Sequence, residues 1–184
     1  MQYRLTAPVT REELASLRAG DTVLLSGTVY TARDAAHKRM MEQLDAGQEL
    51  PFPVEGSALY YVGPTPERPG QVIGSAGPTT SGRMDAYSPR LLDLGQAVMI
   101  GKGARNQAVK EAVVRNGAVY LAALGGAGAL MSACVKELEV ICWEDLGCEA
   151  VRRLVVADMP LTVILDSQGG DLYESGPAAY LSSL

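Results

Sequence analysis

The chain has 184 residues, 47% of them hydrophobic and 20% charged, with a net charge of −5. That composition excludes a disordered chain and supplies enough apolar side chain for a core without metal or disulfide staples. The acidic balance argues against a general nucleic-acid binder, although a local basic pocket remains compatible with it.

One domain over 1–184 is expected from the length. No apolar run approaches the ~20 residues of a membrane helix. The N-terminus lacks the basic and apolar regions of a secretory signal, and three cysteines cannot all pair within one chain. The expected compartment is therefore the cytoplasm. The single histidine, His37, excludes any site that needs two, such as an HExxH zinc site.

In chain order, Tyr3 to Val9 alternates as a short strand. Thr10-Arg11-Glu12-Glu13 has capping-box spacing and predicts a helix to Arg18, stopped by Gly20. Thr22 to Thr31 is β-rich around Gly27 and predicts a strand with a bend or bulge. Ala32 to Asp45 carries Ala36, Met40, Met41 and Leu44 at helical spacing. Ala58–Val62 and Gln71–Ser75 read as strands joined by a Gly/Pro-rich loop. A helix begins within Gly77–Asp85 and runs to Leu94, broken near Pro89. Ala97–Ile100 is a buried strand, Arg105–Asn116 a helix and Ala118–Ala122 a strand. A Gly-rich loop and a helix to about Val135 come next, followed by strands at Leu138–Trp143, Val151–Ala157 and Leu161–Leu165. A β-rich first half followed by βαβα predicts an α/β fold with a mixed sheet.

Three segments place a cation beside glycine or a hydroxyl: Thr31-Ala32-Arg33-Asp34, Thr79 to Arg83, and Gly101-Lys102-Gly103-Ala104-Arg105. Most of these segments, with the uncharged Gly125-Gly126-Ala127-Gly128 loop, fall where a strand hands over to a helix. Ligands of α/β folds gather at the carboxyl ends of strands, and helix N-termini present free N–H groups to anions. Arginine forks fit carboxylates and lysine supplies a point charge. The residues therefore point to a pocket for a small polyanion, a dicarboxylate or a phosphate. Plainer roles compete with this one. Arg33 could pair with Asp34 or a surface acid. Thr79, Thr80 and Ser81 could be an N-cap cluster, and the glycines could serve the backbone alone. His37 on an amphipathic helix fits a buried, hydrogen-bonded residue better than a catalyst. Cys134, Cys142 and Cys148 match no compact cluster spacing, so no metal ligand is assigned to this chain.

At these segments the sequence resembles the β subunit, or C-terminal domain, of the iron–sulfur (class I) fumarate hydratases and L-tartrate dehydratases. The matching stretches are Gly27 to Arg39, Gly77-Pro78-Thr79-Thr80-Ser81-Gly82-Arg83-Met84-Asp85, and Ile100-Gly101-Lys102-Gly103. Similarity continues through Gly125-Gly126-Ala127, Glu144-Asp145-Leu146-Gly147 and Asp166 to Tyr173. The resemblance implies a swivelling β/β/α domain and reversible hydration of fumarate to L-malate. It implies a [4Fe–4S] cluster held by a partner α subunit, in a hetero-oligomer active only when both subunits are present. By motif, Arg33, Thr80, Arg83 and Lys102 would bind the dicarboxylate. Thr79 would take the C3 proton with Lys102 assisting, and Asp34 and His37 would support. Ala32, Ala35-Ala36 and Gly82 look more like the fumarase pattern than the tartrate one. A non-catalytic dicarboxylate-binding module and a purely structural half that covers the cluster are the competing readings.

Overall fold

Ten β-rich residues, Thr22–Thr31, form the strand against which much of the sheet is assembled. The computed structural model describes residues 1–183. Strands β1 (Gln2–Ala7), β2 (Thr22–Thr31), β3 (Ala58–Tyr60), β4 (Val98–Gly101), β5 (Val119–Ala122), β6 (Val135–Cys142) and β7 (Val151–Leu165) make one mixed sheet. The helices are α1 (Arg11–Leu14), α2 (Asp34–Asp45), α3 (Ser88–Asp93), α4 (Gln107–Asn116), α5 (Gly128–Ala133) and α6 (Leu172–Ser182). Short 3-10 turns lie at Ser81–Met84 and Glu144–Glu149. No helix is long and apolar enough to cross a membrane among the described residues.

The strand order is β1-β2-β3-β4-β5-β7-β6. β1 through β5 pair in parallel, and β7 runs antiparallel to β5, β6 and β2. Because β7 joins β5 to β2, the sheet curls back on itself into a partly closed barrel. Side chains alternate along each strand, so each strand feeds two cores. Ala58, Tyr60, Val98, Ile100, Val119 and Leu121 join one core that draws residues from every strand. Leu59, Met99 and Tyr120 face the other way and pack with Met40 of α2, Leu91 of α3 and Val109 of α4. Burial on both faces explains why these parallel strands read as unbroken apolar runs.

Most predicted elements are present, with instructive differences. The Thr10/Glu13 capping box forms in both directions, yet α1 stops at Leu14 rather than Arg18. Gln71–Ser75 is a loop, not a strand. Thr65 claims its end through Thr65 N–H to Ser75 O (3.0 Å) and Ser75 N–H to Thr65 Oγ1 (2.8 Å). The helix predicted to run to Leu94 is a 3-10 turn plus α3, and Pro89 sits in the first turn of α3, where it starts the helix rather than breaking it. Val151–Ala157 and Leu161–Leu165 are one continuous strand, with Asp158 at φ 49° absorbing the irregularity. β6 begins at Val135, earlier than predicted, and α6 carried no expectation.

Gly27 sits at φ 94° at the register shift of β2, and a Cβ there would stand 2.3 Å from Ala7 O. Replacing Gly27 with Ala is expected to cost about 2 kcal/mol or more through positive φ and backbone overlap. Chemical denaturation measures it, and an unchanged midpoint would contradict this account of the bend.

Candidate active site at the carboxyl ends of the parallel strands

Thr31, Tyr60, Ile100 and Leu121 are register partners across β2, β3, β4 and β5. Four chain segments therefore leave the sheet side by side at one rim. Arg33 and Asp34 follow β2, and Gly63 follows β3. Lys102 and Gly103 follow β4, and Gly125 and Gly126 follow β5. The Thr79–Ser81 segment returns to this rim as a short added strand. Thr79 N–H donates to Tyr61 O (2.6 Å), Ser81 N–H donates to Lys102 O (2.8 Å), and Thr80 bridges Lys102 in parallel.

A buried hydroxyl pair locks the two segments together. Lys102 N–H donates to Ser81 Oγ (3.0 Å), and the Tyr120 hydroxyl lies 2.9 Å from both Ser81 Oγ and Gly103 O. The carbonyl can only accept, so Tyr120 donates to Gly103 and Ser81 donates to Tyr120. Every member is satisfied, and the backbone is held on both sides of Lys102. Gly101 is obligatory here, because a Cβ would overlap Ser81 Oγ at 1.9 Å.

The cations divide by what already holds them. Arg105, the last residue of the Gly101–Arg105 segment, turns inward. It is buried, bonds Asp85 at 2.6 Å and Ser88 Oγ at 2.7 Å, and lies over the rings of Tyr61 and Tyr120. Asp85 also accepts from Asn106 N–H (2.7 Å), so this pair fastens the Gly82–Asp85 segment to the start of α4. Arg83 is half exposed and gripped by Asp34 through Nε (2.9 Å) and NH2 (2.8 Å). Asp34 thus orients Arg83. Arg33 is largely buried, yet its Nε has no partner and its ion pair, to Glu149, is loose at 3.7 Å. Gly63 makes room for it, since a Cβ there would lie 2.6 Å from Arg33 NH1. Lys102 forms no ion pair among the described residues, and its stem lies against Gly125. Thr79 is half-buried and Thr80 exposed, and neither hydroxyl has a hydrogen-bond partner among the described residues. The rim thus collects two cations with unspent donors, one oriented arginine and two free hydroxyls, which suits a carboxylate-bearing anion.

His37 lies beneath this rim. It is fully buried, with Tyr61 edge-on at 5.4 Å and Tyr87 stacked at 5.8 Å. Nδ1 is 2.8 Å from Arg33 O, so Nδ1 carries the proton, while Nε2 has no partner. Burial pushes its pKa down to about 4, so the ring is neutral at pH 7 and acts as a prop for the Arg33 carbonyl.

The cysteines do not suit a cluster. No group of three His, Cys, Asp or Glu side chains could hold a metal among the described residues. Burial pushes the Cys134 thiol up and that of Cys142 up to about 11, which favours thiols over the thiolates a metal needs. A cavity of about 490 Å³, lined in part by Pro64, Leu138, Val140, Cys148 and Arg152, contains none of Thr79, Arg83 or Lys102.

The histidine provides a clean test. Its pKa is lower folded than unfolded, so it contributes stability above pH 6.5 that is lost as pH falls toward 4, on the order of 3 kcal/mol in full. The single imidazole resonance should not titrate between pH 7.5 and 5 by NMR. A midpoint near 6.5 would show an exposed ring.

Comparison with known proteins agrees with the geometry. Residues 1–176 match the family described as Fumarase C-terminus. Class I, anaerobic fumarate hydratase of Escherichia coli is 36% identical over 164 residues, covering 88% of this chain and 30% of that protein. Fumarate hydratase 2 of Leishmania major is 36% identical over 169 residues, covering 89% of this chain and 29% of that protein. A protein of Methanocaldococcus jannaschii named putative L(+)-tartrate dehydratase subunit beta is 37% identical over 180 residues, covering 95% of this chain and 92% of its own length. The chain thus spans about 30% of the length of these fumarate hydratases but nearly all of the tartrate dehydratase subunit. Matched over residues 1–176, this chain belongs to the family described as Fumarase C-terminus.

Proposed function

We propose that this chain is the β subunit of a two-subunit iron–sulfur hydro-lyase that adds water reversibly to fumarate to give L-malate. The observation that carries the reading is the pinned pair Thr80–Lys102, which sets the unpartnered Thr79 hydroxyl on the same rim as a lysine without a carboxylate and an arginine with unspent donors. In this reading residues 1–184 act as one domain, the swivelling β/β/α domain of the family, in a cytoplasmic hetero-oligomer.

Arg33, Arg83, Thr80 and Lys102 bind the carboxylates of the substrate and fix its orientation. Thr79 takes the C3 proton of malate as the C2 hydroxyl leaves, and returns it when fumarate is hydrated. A threonine hydroxyl is a weak base, so the alkoxide it must approach needs cationic neighbours, and Lys102 and the arginines supply them. Asp34 holds Arg83 in place, and neutral His37 holds the Arg33 carbonyl. The [4Fe–4S] cluster implied by the family does not fit this chain's cysteines, which belong to no group able to hold a metal among the described residues, and the reading places it on the α subunit.

A second reading is the β subunit of an L-tartrate dehydratase. It is favoured by the near-full-length match to the subunit so named, whereas Ala32, Ala35-Ala36 and Gly82 favour fumarate. The ratio of kcat/KM for malate and L-tartrate in the assembled enzyme decides between them.

In the co-purified complex, Thr79→Ala should lower kcat by ~10²-fold or more with KM little changed, as expected on losing a proton-transfer group. Unchanged turnover would remove Thr79 from the mechanism. Arg83→Ala that alters neither affinity nor rate would instead support a purely structural half. A complex that is stabilised by dicarboxylate but never turns over would support a binding module.

A further inference from the structure

Arg33 is the N-cap of helix α2, and that position is an unusual place for an arginine. An N-cap residue ordinarily turns its own short polar side chain onto the free N–H groups of the first turn. Arg33 makes no such bond. A carboxylate from 114 residues along the chain does so instead, since Glu149 Oε2 accepts from Ala35 N–H at 2.8 Å. The other oxygen, Oε1, is the carboxylate atom 3.7 Å from Arg33 NH2, and both side chains are about four-fifths buried.

The turn that delivers Glu149 is held rigidly. Trp143 enters it at φ 58°, and Gly147 kinks it at φ 58° and ψ −117°. The Arg152 guanidinium staples it by donating to the carbonyls of Gly147 (2.9 Å), Cys148 (3.0 Å) and Ala150 (2.9 Å). Arg39 of α2 reaches back to both oxygens of Asp145. The Glu144–Glu149 turn is therefore fastened to α2 at two points, and its last carboxylate lands on the helix N-terminus. His37 Nδ1–H donates to the Arg33 carbonyl at 2.8 Å.

We infer that Glu149 is a positioning residue for Arg33. It caps α2 in trans, so that the N-cap position is free to carry a ligand-binding guanidinium, and it sets that guanidinium beside Gly63 without tying up its donors. An acid at hydrogen-bond distance would occupy some of the arginine's donors, as Asp34 occupies Nε and NH2 of Arg83. At 3.7 Å Glu149 balances the charge and leaves the N–H groups for the substrate. The inference rests on the reading of Arg33 as a carboxylate ligand.

The test is steady-state kinetics of the co-purified complex carrying Glu149→Ala, Glu149→Gln, Arg33→Ala and the Arg33→Ala/Glu149→Ala pair. An interaction made equally in ground and transition states changes KM and spares kcat. Glu149→Ala should raise KM for the dicarboxylate ~10-fold with kcat within ~2-fold. Glu149→Gln keeps an acceptor for Ala35 N–H and should return KM to within ~3-fold of wild type. On top of Arg33→Ala, Glu149→Ala should add less than ~2-fold, because residues acting through one another are not additive. A normal KM in Glu149→Ala with only a lowered melting temperature overturns the inference and leaves Arg33 as a ligand. Additive losses in the pair also overturn it. A normal KM in Arg33→Ala, or a wild-type complex that neither binds nor turns over fumarate or tartrate, removes the underlying reading and the inference with it.

Discussion

The carboxyl ends of β2, β3, β4 and β5 stop level with one another because Thr31, Tyr60, Ile100 and Leu121 occupy one register row. That alignment is the constraint on which the rest of the structure depends. β7 enforces it by pairing with both β5 and β2, which curls the sheet and leaves these four strands no freedom to slide. A one-residue slip in β3, β4 or β5 would exchange the side chains fitted into the two cores. The loops that follow have one rim to occupy, and the cation-bearing segments lie on three of them.

Charge at that rim is apportioned by burial. Arg105 is withdrawn into the core, where Asp85, Ser88 and two tyrosine rings compensate a cation that would otherwise be costly there. Arg83 is oriented by Asp34 but stays half exposed. Arg33 and Lys102 keep their donors available. A rim with that surplus is ready for an anion, and its openness suits a site completed by a second surface.

Much of this was legible in the sequence because it rests on local chemistry. The capping box at Thr10, the bend at Gly27, and the helix ending at Asn116 all follow from neighbouring residues. The three cation-bearing motifs were visible as motifs. What escaped was set by distant partners. Arg105 reads like the other cations of the glycine-bearing segments, and only Tyr61, Asp85 and Tyr120, brought together by folding, turn it inward. Gln71–Ser75 has strand composition, yet Thr65 takes the hydrogen bonds a strand would need. Glu149 lies in no cation-bearing motif, and its bond to Ala35 crosses most of the chain. The lone histidine was correctly weighed as buried, because an amphipathic helix places it on the same face as Ala36 and Met40.

The central claim is that this chain contributes the cation and threonine rim of an active site shared with an iron–sulfur subunit. Anaerobic isolation of the chain from its own cells, with iron, sulfide and fumarate hydration measured in whatever co-purifies, tests it most directly. A larger iron–sulfur partner with fumarate hydratase activity, lost when the subunits are separated and regained on mixing, is the predicted result. A chain that purifies alone, free of iron and inactive with every fraction added back, would contradict it.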